Sequence, residues 1–168
     1  LTIWLASRGA PVPAIWDVDI EEASIIMERI EGRPLIEVLH SNEHDEELLI
    51  TVGKSIRELH RNAVNHGDLS TNNILINNKR DAVLIDLGLA TREYDLEGFG
   101  IDLHVLHEIL RASHPNVKGA MDLVLKGYLA LDEELGAPEA APGGMPPSAV
   151  DVVKRLEQIM KRVRYHGG

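Results

Sequence analysis

With 168 residues, 44% of them hydrophobic, the chain is long enough for one ordinary domain or for the larger part of two small lobes. It contains no cysteine, which excludes disulfides, thiolate metal sites and cysteine nucleophiles, and it has no apolar run near the roughly 20 residues of a membrane span. We therefore expect a cytoplasmic protein (also nuclear if its source is eukaryotic), without membrane contact, whose net charge of −10 restricts nucleic-acid binding to local basic patches.

The beginning of the chain predicts the end of a helix followed by a β-hairpin. Residues 1–8 have a helical pattern that a glycine and two prolines terminate. Two β-branched runs, AIWDVD and ASIIMER, are separated by an acidic turn and predict the hairpin, with Trp16 assigned to the core. The sequence EGRP, residues 31–34, then breaks the chain.

The remainder predicts a mostly helical unit with one small hairpin inside it. Apolar residues at helical spacing indicate a helix over residues 45–62, and the runs NILI and AVLID indicate two short strands after it. A loop over residues 86–100 leads to three further helices: residues 101–112, a helix that ends near residue 131, and residues 148–164. By composition, residues 136–147 form a flexible linker.

The polar sequence HGDLSTNN, residues 66–73, lies between the long helix and the small hairpin. Asp68 and Asn73 are close enough along this loop to converge on one pocket. Asp86 closes the second strand of the hairpin, which brings it to the same edge as Asn73. A carboxylate and an amide oxygen there suit Mg²⁺, and Asp68 is then free to accept a proton from a nucleophile. Each residue alone is better explained as a turn or capping residue, but the joint pattern indicates a site.

The pattern His-Gly-Asp-x-x-x-x-Asn followed by Ile-Asp-x-Gly resembles the catalytic core of protein kinases. The resemblance implies one base, two metal ligands and three supporting residues: Asp68 as the base, Asn73 and Asp86 as Mg²⁺ ligands, and His66, Gly88 and Asp102 as structural supports. Gly67 and Ser70 stand where regulated protein kinases carry arginine and lysine. The segment after Asp86 is also too short for a phosphorylated activation loop, so the loop resembles that of an atypical kinase.

Among kinase-like families, the sequence is most similar to the small kinase/ATPase subunit of the KEOPS complex, which is related to the RIO kinases. HGDLSTNNILI, VLIDLGLA and GIDLHVLHEILRASHPN each resemble a segment of that family. ASIIMERIEGRPL resembles its hinge, which implies that Met27 is the gatekeeper and that Glu28 and Ile30 lie beside the adenine of ATP. The implied fold is α+β and protein-kinase-like, with a truncated β N-lobe and hinge over residues 1–30 and a mainly helical C-lobe over residues 31–168.

This resemblance implies an atypical kinase or ATPase that uses ATP and Mg²⁺ to support threonylcarbamoyladenosine modification of tRNA. Its expected partners are the catalytic subunit and other subunits of the KEOPS complex. Contact with tRNA would be indirect or would use basic residues near the end of the chain: Lys154, Arg155, Lys161, Arg162 and Arg164. A solvated helix face explains that cluster equally well.

The Gly-rich loop, the ATP lysine and the helix glutamate of kinases do not occur before the hinge. We interpret this as a truncated chain or as a degenerate ATP site. Two alternative functions therefore stay open, namely a non-catalytic scaffold that binds partner subunits and a small-molecule phosphotransferase.

Overall fold

The computed structural model describes residues 1–140 and 143–166, with side chains described as far as residue 162. This part of the chain contains six α-helices, in agreement with the expected α+β class: α1 (Thr2–Ser7), α2 (Leu35–His40), α3 (Glu46–Arg61), α4 (Leu96–Ser113), α5 (Ala120–Leu135) and α6 (Ala149–His166). Its strands form three small antiparallel sheets: β1 (Ile15–Asp19), β2 (Ser24–Met27), β3 (Gly32–Pro34), β4 (Val64–Asn65), β5 (Ile74–Asn77), β6 (Ala82–Leu84) and β7 (Thr91–Arg92). No helix in these residues has the length and apolar character needed to cross a membrane.

The predicted first hairpin forms, with β1 and β2 paired from Ile15 opposite Met27 to Asp19 opposite Ser24. The assignment of Trp16 to the core was wrong, because this side chain is 67% exposed. The hairpin is a sheet of two strands, so the alternation of apolar side chains has no covered face on which to bury Trp16.

The second predicted hairpin is part of a three-stranded sheet in the order β3-β5-β6. The prediction that EGRP simply breaks the chain was wrong, because Gly32–Pro34 is an edge strand paired with β5. A Cβ atom on Gly32 would lie 2.2 Å from the carbonyl oxygen of Ile76, so only glycine allows this close pairing. Pro34 then occupies the position before the first residue of α2, a short helix that the apolar pattern did not reveal.

Helices α3 and α5 pack against each other along their length. The fully buried side chains that they contribute include Val52, Ile56, Leu59, Val124 and Tyr128. A Cβ atom on Gly53 would lie 1.9 Å from the carbonyl oxygen of Val124, and one on Gly127 would lie 1.9 Å from the carbonyl oxygen of Ile50. The two helix backbones therefore touch at a reciprocal pair of glycines.

The boundaries of α3 agree with the prediction, since the Asp45 side chain accepts a hydrogen bond from the main-chain N–H of Leu48 at 2.9 Å. Helix α4 begins at Leu96 rather than residue 101, because Asp95 caps it by accepting from the N–H of Glu97. The predicted loop over residues 86–100 was therefore too long. It also contains β7 and a short 3-10 helix, Leu87–Leu89.

Helix α5 continues to Leu135, slightly beyond the predicted end, and stops at Gly136, whose φ is +77°. Helix α6 follows Ser148, whose Oγ accepts from the main-chain N–H of Asp151 at 3.2 Å. The predicted linker, residues 136–147, lies between these helices, and two of its residues are outside the described part. Its flexibility stays a prediction.

Substituting Gly53 with alanine is expected to destabilise the protein by about 1–3 kcal/mol, because the added methyl group forces α3 and α5 apart. Lys126→Ala on α5 is a matched control, since this residue is exposed and its change should stay within about 0.5 kcal/mol. Urea unfolding monitored by circular dichroism measures both values. Equal stability of the two variants would contradict the close helix contact.

Candidate active site

The predicted polar loop joins β4 to β5 and brings Asp68 and Asn73 into direct contact. The Asn73 side-chain amide donates to the Asp68 carboxylate at 3.0 Å and to its main-chain carbonyl oxygen at 2.9 Å. The Asp68 side chain is exposed, so a substrate can reach it. Gly67 has a φ of +79°, and a Cβ atom there would lie 2.4 Å from the carbonyl oxygen of Leu89. The loop can therefore keep this path only with glycine at position 67.

Asp86 lies at the same edge of the sheet as Asn73. Ile74 pairs with Leu84, and the N–H of Ile85 donates to the carbonyl oxygen of Asn73 at 3.0 Å. Asp86 comes directly after Ile85 in a left-handed conformation, with φ +58° and ψ +61°. This conformation is uncommon for a residue other than glycine, although aspartate tolerates it better than most. The Gly88 main chain lies next to the Asp86 carboxylate.

His66 joins the loop to the end of β6. Its side chain is fully buried, and its Nδ1 accepts a hydrogen bond from the main-chain N–H of Asp68 at 3.3 Å. Its Nε2 is 3.0 Å from the carbonyl oxygen of Ile85 and donates to it. These contacts are those of the tautomer that carries its proton on Nε2. His66 thereby supports the main chain of Asp68.

Asp102 on α4 binds the first residues of the loop through hydrogen bonds to their main chain. Its side chain is 2% exposed, and its carboxylate accepts from the main-chain N–H groups of His66 at 2.5 Å and Gly67 at 3.0 Å. His60 Nε2 is a third donor at 3.2 Å. Burial lowers the pKa of His60 despite the neighbouring Asp102 carboxylate, so His60 is neutral at pH 7. Three hydrogen bonds therefore compensate for the buried carboxylate.

A cavity of about 550 Å³ opens between the β1–β2 hairpin and the end of β6. Its walls are mainly apolar and include Ile15, Ile25, Met27, Ile30, Leu75 and Leu84. Glu28 lines the cavity beside these residues, and Asp86, Leu87 and Gly88 form one of its ends. The three residues predicted to contact nucleotide thus share one cavity with a predicted metal ligand. An apolar slot next to a carboxylate suits a flat aromatic ring that carries phosphate groups.

Within the described residues, no three His, Cys, Asp or Glu side chains are grouped closely enough to hold a metal ion. Asn73 and Asp86 offer two side chains that can bind a metal ion through oxygen. This number fits Mg²⁺, which commonly binds one or two protein ligands and completes its octahedron with waters and substrate phosphates. The site therefore fits a metal that arrives with a nucleotide.

The basic cluster predicted on the last helix is partly neutralised by ion pairs. Arg155 binds the Glu97 carboxylate on α4, and Arg162 lies 3.9 Å from the same carboxylate. Lys154 lies 3.9 Å from Asp151. Arg164, which the prediction also included, lies outside the described side chains. Two of the four described members of the cluster therefore pair with α4, and the cluster offers less positive charge to RNA than its sequence suggests.

Comparison with known proteins agrees with this fold and loop. The RIO domain family matches residues 3–113. A probable serine/threonine-protein kinase BUD32 homolog from Archaeoglobus fulgidus is 34% identical over 160 residues, which cover 95% of this chain and 71% of that protein. The KEOPS complex subunit Bud32 from Pyrococcus abyssi is 35% identical over 129 residues, 75% of this chain and 58% of the relative.

A probable bifunctional tRNA threonylcarbamoyladenosine biosynthesis protein from Methanosarcina mazei is 36% identical over 159 residues. This match covers 94% of the chain but only 25% of that longer protein. The fold and the loop define a kinase-like protein. The chain belongs to the RIO domain family, and its relatives there are atypical kinases of the Bud32 type.

Replacing Asp102 with asparagine is expected to cost about 2–4 kcal/mol of stability, because a single amide oxygen cannot accept all three hydrogen bonds. Asp95→Asn makes the same chemical change at the start of the same helix. Since asparagine caps helices as well as aspartate does, this control should stay within about 0.5 kcal/mol. Urea unfolding compares the two variants. Equal losses of unfolding free energy would contradict the stabilising role of the hydrogen bonds to Asp102.

Stability is expected to fall as the pH drops from 7.5 to 5.5. The folded-state pKa of His60 lies below the value of about 6.5 in the unfolded chain, so below that pH the unfolded chain binds the extra proton. The contribution is complete above pH 6.5 and is lost on acidification, by up to about 1.4 kcal/mol per pH unit.

The decline should be smaller in His60→Gln. His114, whose pKa burial also lowers, supplies part of the remaining decline. Unfolding free energies measured across this pH range test the assignment, and an identical slope in the variant and the wild type would contradict it.

Proposed function

We propose that the chain is the phosphotransfer unit of a Bud32-type kinase or ATPase that binds Mg-ATP. The observation that carries the proposal is the convergence of three residues at one edge of the β3-β5-β6 sheet. Asn73 is hydrogen-bonded to Asp68 and, through its main chain, to the residue before Asp86. An apolar cavity of about 550 Å³ ends at the same Asp86.

The cavity would take the adenine, with Met27, Glu28 and Ile30 along the hinge side. In this proposal, residues 1–30 are a truncated N-lobe with the hinge, and residues 31–168 are the C-lobe. Asn73 and Asp86 would hold Mg²⁺ through side-chain oxygens. When bound, the metal would neutralise charge on the phosphate oxygens of ATP.

Asp68 would orient the attacking water or hydroxyl group and accept its proton. Its exposure allows the nucleophile to approach, and the Asn73 amide fixes one of its carboxylate oxygens. The main chain of Asp68 is held in turn by His66. Phosphoryl transfer relies mainly on such positioning, because the protein contributes little covalent chemistry of its own.

The names of the relatives support a role in tRNA modification. One relative is a subunit of the KEOPS complex, and another is a bifunctional protein of tRNA threonylcarbamoyladenosine biosynthesis. We propose that this chain supports the same modification in the cytoplasm, together with the KEOPS catalytic subunit. The weakened basic cluster on α6 favours indirect contact with tRNA through those partners.

Asp68→Ala in the full-length protein is expected to lower ATP turnover at least about 100-fold, as is usual for loss of a general base. Binding of Mg-ATP and the unfolding midpoint should be retained, since the side chain is exposed. Asp81→Ala is the matched control, because this exposed aspartate lies in the β5–β6 turn at the opposite end of the hairpin.

Asp86→Ala should instead weaken binding of Mg-ATP, measured by calorimetry with and without Mg²⁺. Unchanged turnover in Asp68→Ala would contradict the proposed role of that residue. Absence of any Mg-ATP binding in the wild-type protein would favour the scaffold function.

A further inference from the structure

A chain of hydrogen bonds between buried side chains runs from α3 through α5 to Asp102. The Arg57, His60 and Tyr128 side chains are fully buried. Arg57 Nη1 lies 3.4 Å from the Tyr128 hydroxyl group, and that hydroxyl group lies 2.7 Å from His60 Nδ1. The other ring nitrogen, His60 Nε2, lies 3.2 Å from the Asp102 carboxylate. The hydrogen bonds thus link Arg57 to Tyr128, Tyr128 to His60, and His60 to Asp102, the residue that binds the loop.

The donors and acceptors in this chain can be ordered in only one way. Arg57 can only donate, and the ionised Asp102 can only accept. His60 is neutral, so it must donate from Nε2 to the carboxylate and accept at Nδ1. Burial raises the pKa of Tyr128, which keeps its hydroxyl proton in place for donation to Nδ1. All the hydrogen bonds therefore point from Arg57 towards Asp102.

The far end of the chain is fixed to the junction between α5 and α6. Asp132 accepts two hydrogen bonds from Arg57, both at 2.8 Å. The same aspartate accepts from the first main-chain N–H of α6, at Ala149, and Arg57 also donates to the carbonyl oxygen of Pro147. With its guanidinium held on several sides, Arg57 is a rigid start for the hydrogen-bond chain.

The Tyr128 hydroxyl group and the Asp102 carboxylate together determine which way the His60 ring faces. The ring packs against Phe99, with centroids 4.8 Å apart, and against the Tyr128 ring at 5.5 Å. Such packing fills space but distinguishes poorly between two orientations of an imidazole that differ by a half-turn. A hydrogen bond at Nδ1 does distinguish them, because the other orientation presents a carbon atom to the hydroxyl group and to Asp102.

We propose that Tyr128 is a positioning residue for phosphoryl transfer, which acts through His60 and Asp102 on the loop that carries Asp68. This inference rests on the proposed function of that loop. The hydrogen bonds described for Tyr128 go to Arg57 and His60, and Tyr128 is not among the residues that line the cavity. It fixes the His60 ring, which completes the set of donors around Asp102, and Asp102 then holds the N–H groups of His66 and Gly67.

Tyr128→Phe removes one hydroxyl group and keeps the ring. In the full-length protein it is expected to lower kcat for ATP turnover about three- to tenfold, the effect of one net hydrogen bond, while KM for ATP changes less than about twofold. The KM should change little because Tyr128, His60 and Asp102 are not among the residues that line the cavity. Tyr94→Phe is the matched control, since it removes a hydroxyl group outside this hydrogen-bond chain and should leave kcat unchanged.

Amide hydrogen exchange separates positioning from general destabilisation. In Tyr128→Phe, exchange at His66 and Gly67 should accelerate, whereas Ile76 and Ala82 in the β5–β6 ladder should exchange as in the wild type. In a His60→Gln background, Tyr128→Phe should lower kcat less than about twofold further, because its route to the loop is already broken. A full additional loss in that background, or equal acceleration at all four amides, would overturn the inference.

The wild-type protein provides a test that does not depend on the folding of any variant. Long-range ¹H–¹⁵N correlation spectra at pH 7.5 should show His60 as a neutral ring protonated on Nε2. A ring protonated on Nδ1 would overturn the inference. If Asp68→Ala leaves turnover intact, the proposed function fails, whereas loss of turnover in Asp68→Ala with unchanged kcat in Tyr128→Phe refutes only the positioning role.

Discussion

The buried carboxylate of Asp102 is the interaction on which the rest of the structure depends. A carboxylate at 2% exposure would cost several kcal/mol if its oxygens were unpaired, yet here three N–H groups donate to it. Two of these donors are main-chain groups of the polar loop, and the third is His60 on α3. The loop path and the positions of α3 and α4 are therefore coupled, because a shift of any one of them removes at least one of the hydrogen bonds to the buried carboxylate.

This arrangement explains how an exposed residue can act as a precise base. Asp68 needs exposure to meet a nucleophile, but an exposed loop is ordinarily mobile. Here the buried Asp102 carboxylate restrains the loop by accepting from the main-chain N–H groups of His66 and Gly67. The Asn73 amide restrains the Asp68 side chain itself. The main-chain bond between Asn73 and Ile85 extends the same restraint to Asp86. The proposed base and metal ligands thus rest on a rigid buried support.

Local sequence patterns predicted the parts of the fold whose causes are local. The helical spacing of apolar residues after Asp45 predicted α3, and the β-branched runs predicted the two hairpins. The loop motif indicated that Asp68, Asn73 and Asp86 converge, although their chemical roles stay proposals. The strand at Gly32–Pro34 was missed because it depends on a close approach to β5 that only the fold shows.

The resemblance to kinases implied that His66 and Asp102 support the loop, but no sequence pattern predicted the hydrogen bonds of His60. His60 meets Asp102 across 42 positions and Tyr128 across 68, and no local spacing connects residues so far apart. The exposure of Trp16 likewise depends on whether another element covers the two-stranded sheet, and the pattern of the strand residues carries no information about that.

The most direct test of the proposed site is a crystal structure of the full-length protein with Mn²⁺ in place of Mg²⁺ and a non-hydrolysable ATP analogue. Anomalous scattering should place a metal ion between the side-chain oxygens of Asn73 and Asp86. The adenine should lie in the cavity beside Met27, and the terminal phosphate should face Asp68. A nucleotide bound elsewhere, or a metal ion away from both ligands, would contradict the account.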